Sequence, residues 1–290
     1  FRSIFAPGLF AGQRALITGG GTGIGRCLAH ELASLGAHAI VVGRREEPLK
    51  ATVEEIEQAG GQASWATLNI RDEDAVTATI SEIVRDHGGI DLLVNNAGGQ
   101  FISPAAHIRP KGWRAVIDTN LNGTFFVSRA VFEMSMSEHG GAIVNVIAEM
   151  KNGFPGMAHT GAARAGVDNL TKTLAVEWAS HGVRVNAIAP GNILSSGMTT
   201  YPEAVLKMAL PMMTGNPSAR MGTEAEISAA ITFLLSPASA YTTGETLWVD
   251  GGSSLCKVPM VPLQKHDKMP PYNGFHLATE LPGFLQDGDE

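Results

Sequence analysis

A cluster of glycines near the start of the chain has the residue types and spacing that bind phosphate. An apolar run over residues 15–18 precedes it, and a helical pattern begins at about Cys27. In such a strand–turn–helix unit, Gly19 permits a sharp turn, Gly23 lets the backbone approach a pyrophosphate, and Gly25 allows close helix packing. The helix N-terminus adds free N–H groups and a positive dipole end. We therefore predict a nucleotide-binding turn. Its members are Gly19, Gly21, Thr22, Gly23, Ile24 and Gly25.

The second apolar run, residues 37–42, is typical of a buried parallel strand and ends at Gly43-Arg44-Arg45. An acidic residue here would bind the ribose 2′-hydroxyl of NAD, but the sequence has two arginines instead. A guanidinium group bonds two phosphate oxygens at once. Arg44 and Arg45 therefore favour NADP(H) over NAD(H), although surface arginines on a solvated loop are also common.

Apolar runs and amphipathic segments alternate along the chain. This alternation predicts a single Rossmann-type α/β domain, in which helices flank a doubly wound parallel sheet and the ligand cleft lies at the carboxyl ends of the strands. Later elements include a helix over residues 166–180, a helix over residues 224–235 and a last strand over residues 246–249. We expect an N-terminal arm over residues 1–12, the cofactor-binding domain over residues 13–252, and an irregular tail over residues 253–290.

Composition narrows the class of protein. The 290 residues are 44% hydrophobic and 17% charged, which is typical of a globular protein. The net charge of −7 argues against a nucleic-acid partner. Two cysteines cannot form a disulfide framework and suggest a reducing compartment, so we expect a cytoplasmic protein. No apolar run reaches the roughly 20 residues of a membrane span, and we expect neither a membrane partner nor a metal.

Five motifs fall in the order and spacing of one enzyme family. They are Thr18-Gly19-x-x-x-Gly23-x-Gly25, Asn95-Asn96-Ala97-Gly98, Asn120, Pro190-Gly191 and Val249-Asp250-Gly251-Gly252. Through them, residues 12–252 resemble a short-chain dehydrogenase/reductase. Residues 98–104, 153–155 and 159–167 are similar to peroxisomal trans-2-enoyl-CoA reductase, and residues 101–104 also resemble 2,4-dienoyl-CoA reductase. Bacterial dehydrogenases proposed for citronellol are similar too, so the resemblance indicates a branch of the family and leaves the substrate open.

The resemblance implies further cofactor contacts. Asn69 and Ile70 would flank the adenine. The other positions lie beside the nicotinamide and its ribose: Asn96, Ala97, Gly98, Pro190, Gly191, Ile193 and Ser195. Relatives of this family commonly form tetramers, and the resemblance therefore implies a homotetramer.

The catalytic positions depart from the family pattern. Typical members carry a serine and then Tyr-x-x-x-Lys, whose tyrosine delivers a proton while the lysine lowers its pKa and binds the ribose. Aligned on the helix near residue 162, this chain has Ala148 for the serine, Thr160 for the tyrosine and Arg164 for the lysine. A threonine hydroxyl does not ionise near neutral pH, and arginine does not release its proton. Arg164 can still bond the ribose hydroxyls, and Asn120 would kink its helix and hold a water.

This loss favours one chemistry over another. Reduction of a ketone makes an alkoxide that needs a proton almost with the hydride. Reduction of an enoyl thioester spreads charge into an enolate, which hydrogen bonds can hold until a proton arrives at Cα. We therefore expect NADPH-dependent reduction of a trans-2-enoyl-CoA or similar thioester. One alternative is oxidation of an acyclic terpenoid alcohol, with His159 as proton acceptor. Another is a catalytically silent NADP(H)-binding scaffold or sensor.

Several residues are candidates for substrate contact. Gln100 and Phe101 follow the fourth strand and face the cleft by the family pattern, while Glu149 and Lys151 lie in the active-site loop. Residues 196–222 correspond to the family's substrate lid, and its methionines, Met198 among them, suit flexible apolar chains. Prolines at positions 202, 211 and 217 would interrupt any helix there.

Overall fold

The computed structural model describes residues 2–195, 203–255 and 263–276, and among these residues seven parallel strands form the central sheet. The strands are β1 (Arg14–Thr18), β2 (His38–Gly43), β3 (Gln62–Thr67), β4 (Leu92–Asn95), β5 (Gly141–Val146), β6 (Val183–Pro190) and β9 (Thr246–Val249). Their order across the sheet is β3-β2-β1-β4-β5-β6-β9. A separate ribbon pairs β7 (Ile193–Leu194) with β8 (Gly222–Thr223). The strand order reverses at β1, and in doubly wound sheets ligands bind at this switch point, beyond the carboxyl ends of β1 and β4.

Helices cover both faces of the sheet. They are α1 (Gly23–Ser34), α2 (Glu46–Gln58), α3 (Glu73–His87), α4 (Pro110–Ile117), α5 (Gly123–Val131), α6 (Ser137–His139), α7 (Ala158–Glu177), α8 (Glu203–Thr214) and α9 (Glu224–Leu235). Two π-helical turns, Asp118–Asn122 and Phe132–Met136, join α4, α5 and α6. The prediction of a doubly wound parallel sheet flanked by helices is confirmed. No helix among the described residues has both the length and the apolarity needed to cross a bilayer.

The core has two layers because neighbouring residues of a strand point to opposite faces. In β1, Ala15 and Ile17 pack in one apolar cluster with α1 and α9 residues such as Leu28 and Ile231. Leu16, between them, packs in the other cluster with α3 and α5. Both faces of β1 are thus covered, which holds the glycine-rich turn at its end in a fixed position.

Two sequence predictions were wrong in detail. The helix after β5 begins at Ala158, eight residues before the expected start at Gly166. It therefore carries Thr160 and Arg164 on a regular helix. The prolines do not exclude a helix from the lid region, since α8 includes Pro211. Pro211 lies in the last turn, where its missing N–H removes one hydrogen bond shortly before the helix ends.

Candidate active site

The glycine-rich turn has a shape that side chains would block. Gly19 and Gly23 have φ values of +68° and +57°, a region that favours glycine. A Cβ on Gly25 would lie 2.4 Å from the Gly19 carbonyl oxygen. Thr22 precedes α1 without capping it through its side chain, and the first turn holds no acidic residue. The N-terminus of α1 thus presents backbone N–H groups at a turn shaped for close approach.

A hydrogen-bond network joins this turn to the end of β4. The Thr18 hydroxyl accepts bonds from the backbone N–H groups of Asn96 (3.0 Å) and Ala97 (2.9 Å). The Asn96 side-chain amide donates to the carbonyls of Thr18 (2.9 Å) and Gly19 (3.2 Å). Asn96 and Ala97 therefore help to shape the cofactor turn. In the sequence, Thr18 is part of a motif but has no predicted role, because its hydrogen-bond partners Asn96 and Ala97 lie more than 70 residues away.

The residues predicted to bind the adenosine half lie at the ends of β2 and β3. Arg44 and Arg45 are exposed beyond β2, and within the described ranges neither has an ion-pair partner. Ile70 is buried against Gly123, whose Cβ would lie 2.7 Å from Ile70 Cγ1. Asn69 Oδ1 accepts from Arg71 Nε (3.3 Å). Two free guanidinium groups thus stand where a 2′-phosphate would be bound in this fold.

Arg164 lies at the end of the cleft where the family pattern predicts the catalytic residues, here called the catalytic end. Its side chain is 8% exposed, and its Nη1 donates to the Val146 carbonyl (2.7 Å) at the end of β5. Its Nη2 faces Gly98, where a Cβ would lie only 2.3 Å away. Nε is buried with no hydrogen-bond partner in the part of the chain that the structure describes. Burial lowers the pKa of Arg164 to about 10, so the guanidinium remains charged at neutral pH.

Asn120 fixes the loop that borders Arg164. It lies in the π-helical turn between α4 and α5 and is fully buried. Its Nδ2 donates to the carbonyls of Gly99 (2.7 Å) and Val116 (3.0 Å), and its Oδ1 accepts from the Gly99 N–H (3.2 Å). Both amide protons are therefore used within the chain. Asn120 thus lies in a π-helical interruption between α4 and α5, and its side chain directly positions the Gly98–Gly99 loop.

His159 and Thr160 lie side by side at the start of α7. His159 has no exposed surface, and its Nδ1 accepts from the Thr160 backbone N–H (2.7 Å), with the Thr160 hydroxyl 3.2 Å from the same nitrogen. Because Nδ1 accepts, the ring proton belongs on Nε2. Burial lowers the pKa of His159, so the ring is neutral at pH 7. Nε2 has no partner among the described residues. His159 thus carries a buried N–H donor, and its acceptor nitrogen is already used.

The substrate candidates lie around this pair. The Phe101 ring meets His159 edge-on, with centroids 4.3 Å apart, and reaches Gly112 of α4 on its other side. Gln100 is exposed beside it. The Glu149 backbone N–H donates to the Pro190 carbonyl (3.0 Å), whereas Lys151 lies over the Trp248 ring at 5.7 Å. Phe101 is therefore a substrate candidate in direct contact with α7, through His159.

The strand end on the other side of the cleft carries the predicted nicotinamide loop. The Gly191 N–H donates to the Val249 carbonyl (3.0 Å), and a Cβ on Gly191 would lie 2.7 Å from Asp250 Cα. Pro190 ends β6. Ile193 lies in β7, and Ser195 is the last described residue before a gap. Met198 lies outside the described residues.

Comparison with known proteins assigns the family. A family model described as enoyl-(acyl carrier protein) reductase matches residues 19–254. A probable 2,4-dienoyl-CoA reductase of Bacillus subtilis is 41% identical over 250 residues, which covers 85% of this chain and 98% of that protein. The citronellol catabolism dehydrogenase AtuB of Pseudomonas aeruginosa is 50% identical, with a TM-score of 0.77, and the match covers 88% of this chain and 100% of that structure. A gluconate 5-dehydrogenase of Gluconobacter oxydans is 38% identical over 249 residues, or 85% of this chain and 97% of that protein. The sheet, the glycine-rich turn and these relatives agree: the chain belongs to the short-chain dehydrogenase/reductase family of oxidoreductases.

Proposed function

We propose that the protein uses NADPH to reduce the α,β-double bond of a trans-2-enoyl thioester of coenzyme A, or the conjugated diene of a 2,4-dienoyl thioester. The observation that carries the proposal is the buried, charged Arg164 on a helix whose tyrosine position is occupied by Thr160. Such a site stabilises negative charge on an oxygen but lacks an acid of suitable pKa to protonate it. The similarity to 2,4-dienoyl-CoA reductases points to the same chemistry.

The residues present fit a dinucleotide. The turn excludes a Cβ at Gly25, the N-terminus of α1 is uncapped by Thr22, and Arg44 and Arg45 are unpaired for a 2′-phosphate. Arg164 and the backbone near Gly98 would hold the nicotinamide ribose, and Ile193 the carboxamide. When bound, the cofactor supplies a hydride. These features support NADP(H) over NAD(H) because arginines, and no carboxylate, occupy the two positions directly after β2, where an acidic residue would bind a ribose 2′-hydroxyl.

The chain's own groups account for the remaining chemistry. As the hydride adds to Cβ of an enoyl thioester, the electron pair of the double bond moves through the Cα–carbonyl bond onto the thioester oxygen. In a 2,4-dienoyl thioester the hydride adds instead to Cδ, and the charge spreads through the conjugated chain to the same oxygen. Arg164 and the N–H of His159 are the buried donors that stabilise this charge. A proton from water then adds to carbon, and the electron pair returns to complete the reduced product.

The 50% identity to a citronellol catabolism dehydrogenase favours a second candidate, oxidation of a terpenoid alcohol. That reaction needs a base, and His159 is the titratable group nearest to Thr160. In the observed arrangement Nδ1 already accepts the Thr160 N–H, and Nε2 carries the proton. His159 therefore serves as a donor, and this geometry supports the reductase over the alcohol dehydrogenase.

The deciding experiment measures consumption of NADPH, and separately NADH, with trans-2-enoyl-CoA and 2,4-dienoyl-CoA esters of several chain lengths. Citronellol with NADP⁺ or NAD⁺, and citronellal with the reduced cofactors, are assayed in parallel. We expect thioester reduction with a strong preference for NADPH. Turnover of citronellol or citronellal alone would establish the second candidate, and equal use of NADH would refute the role of Arg44 and Arg45. Tight NADPH binding without any turnover would indicate a silent binding protein.

A further inference from the structure

The segment from residue 263 to residue 276, here called the strap, lies beyond the family match at residues 19–254. It contains no helix or strand, yet it packs on the protein. Phe275 is only 8% exposed and contacts a small apolar cluster with Cys27 of α1 and Ala225 of α9. The His30 ring stacks near it, with centroids 6.3 Å apart. The strap is thus anchored by a buried aromatic side chain at its far end.

A second attachment uses the strap's backbone at Tyr272. Thr223 and Glu226 form a capping box at the start of α9, in which each side chain bonds the other's backbone N–H. The same two side chains also hold Tyr272. The Thr223 hydroxyl donates to the Tyr272 carbonyl (2.6 Å), and Glu226 Oε1 accepts from the Tyr272 N–H (3.3 Å). The two side chains that cap α9 therefore also bind the backbone of the strap.

Further contacts tie the strap to the residues just before α9. Arg220 Nε donates to the Met269 carbonyl (2.8 Å), while its two terminal nitrogens bond Glu226 at 2.9 and 2.6 Å. His266 Nε2 donates to the Pro217 carbonyl (2.8 Å). The strap thus fastens residues 217–226 at several points. Arg220 and Glu226 form an ion pair, and each of them also bonds the backbone of the strap, Arg220 at Met269 and Glu226 at Tyr272.

The fastened residues lead directly to the nicotinamide side of the cleft. Gly222 and Thr223 form β8, which pairs with Ile193 and Leu194 of β7. The Gly222 N–H donates to the Asn192 carbonyl (2.9 Å), and a Cβ on Gly222 would lie 2.7 Å from Ile193 Cδ1. Any displacement of Thr223 therefore moves the ribbon that carries Ile193. Residues 217–226 also follow α8 directly along the chain.

We propose that the strap positions the β7–β8 ribbon, and that Tyr272 and Phe275 are the positioning residues through which it acts. An attached strap holds Thr223 and Arg220, and these hold Gly222 against Asn192 and Ile193. A detached strap leaves the ribbon with its short pairing, the cap of α9 and the Arg220–Glu226 ion pair, but without the bonds to Met269 and Tyr272. The consequence for turnover rests on the proposed function, whereas the consequence for the ribbon's mobility does not.

Two substitutions in the full chain detach the strap in different ways. Phe275→Ala removes the buried anchor, and Tyr272→Pro removes the N–H that Glu226 accepts. The matched control is Tyr272→Phe, which keeps both backbone bonds and loses only the hydroxyl, whose contacts are with the Arg2 carbonyl (3.4 Å), the Ser3 side chain and the Ile4 backbone of the N-terminal arm. Hydrogen exchange followed by mass spectrometry is measured on peptides covering residues 190–195 and 215–224, with residues 62–87 as an internal reference.

In both detaching variants we expect the backbone amides of the two ribbon peptides to exchange about tenfold faster. The contacts that each variant loses slow the opening of the ribbon by roughly that factor. The reference peptide and the Tyr272→Phe control should match wild type. In the substrate assay, kcat/KM for the thioester should fall about tenfold, whereas the dissociation constant of NADP⁺ should change much less, because its adenosine half binds elsewhere. This split distinguishes positioning from a general loss of stability.

Unchanged exchange at residues 190–195 and 215–224 in both variants would overturn the proposal. Equal acceleration of the reference peptide would also overturn it, because the strap would then only stabilise the whole fold. If wild type turns over no thioester, the proposed function fails while the exchange measurement still decides the role of the strap.

Discussion

Behind the glycine-rich turn, the chain supplies partners for the polar side chains that join β1 to the loop after β4. Thr18 and Asn96 bond four backbone groups of β1, the turn and the β4 loop. At the catalytic end, Arg164 Nε and His159 Nε2 are buried without partners among the described residues. A buried polar atom without a partner is costly. The Thr18–Asn96 network therefore contributes to stability, whereas the catalytic end holds donors that a ligand would satisfy.

This contrast separates two kinds of substitution. Changes at the glycine-rich end should lower stability, because they leave backbone groups unsatisfied. Changes at the catalytic end should lower activity with little cost in stability, because the removed group has few partners to lose. Both the rate of turnover and the free energy of unfolding are therefore measured for each variant.

The largest effect on activity is expected from Arg164→Met, which keeps the length of the side chain and removes its charge. Turnover should fall about 100-fold or more, the usual effect of removing a donor that stabilises charge in a transition state. The free energy of unfolding should stay the same or rise, because a buried and unpaired cation is lost. Steady-state kinetics and thermal unfolding measure the two effects.

Arg164→Lys provides the control for that variant, since it restores a positive charge with fewer donors. It should recover part of the activity lost in Arg164→Met. Equal activity in Arg164→Met and wild type would show that charge at this position has no part in the reaction.

The opposite result is expected from Thr18→Val, which preserves shape and removes the hydroxyl. Two backbone N–H groups, those of Asn96 and Ala97, lose their acceptor. The free energy of unfolding should therefore fall by about 2 kcal/mol. Thr18→Ser keeps the hydroxyl and should cost only about 1 kcal/mol for the lost methyl group. Denaturant unfolding compares them. A Thr18→Val protein as stable as Thr18→Ser would remove the basis for the contrast between the two ends.

The sequence predicted most reliably what depends on local spacing. The glycine-rich turn follows from the order of Gly19, Gly23 and Gly25, because each glycine acts on backbone a few residues away. The alternation of strands and helices likewise gave the sheet. Arg164 and Thr160 were located by aligning a motif whose usual residues are absent, because the helical spacing of four residues survives.

What the sequence did not reveal depends on contacts between distant segments. The tautomer of His159 follows from the start of α7 at Ala158, which brings the Thr160 N–H onto Nδ1. Thr18 acquires its role only when β4 lies beside β1. Tyr272 is bound through its backbone, which leaves no side-chain pattern to recognise. Pro211 was read as a helix breaker because its position in a last turn could not be seen.

The smallest effect, and the sharpest test of the boundary between the two ends, comes from neighbouring glycines. A Cβ at Gly98 would lie 2.3 Å from Arg164 Nη2 and 2.9 Å from Asn120 Oδ1, whereas a Cβ at Gly99 would meet nothing within 4 Å. The guanidinium is the far end of a flexible side chain and can shift, so Gly98→Ala should displace the charge without unfolding the protein.

We expect kcat/KM to fall about tenfold in Gly98→Ala, because a misplaced donor loses part of its stabilising effect. Gly99→Ala should remain within about twofold of wild type, because an exposed and uncrowded site tolerates a methyl group. Parallel kinetics and unfolding of this pair show whether the position of Arg164, as distinct from its presence, sets the rate. Equal kinetics in the two variants would mean that the guanidinium acts from any nearby position, and the catalytic end would then depend on charge alone.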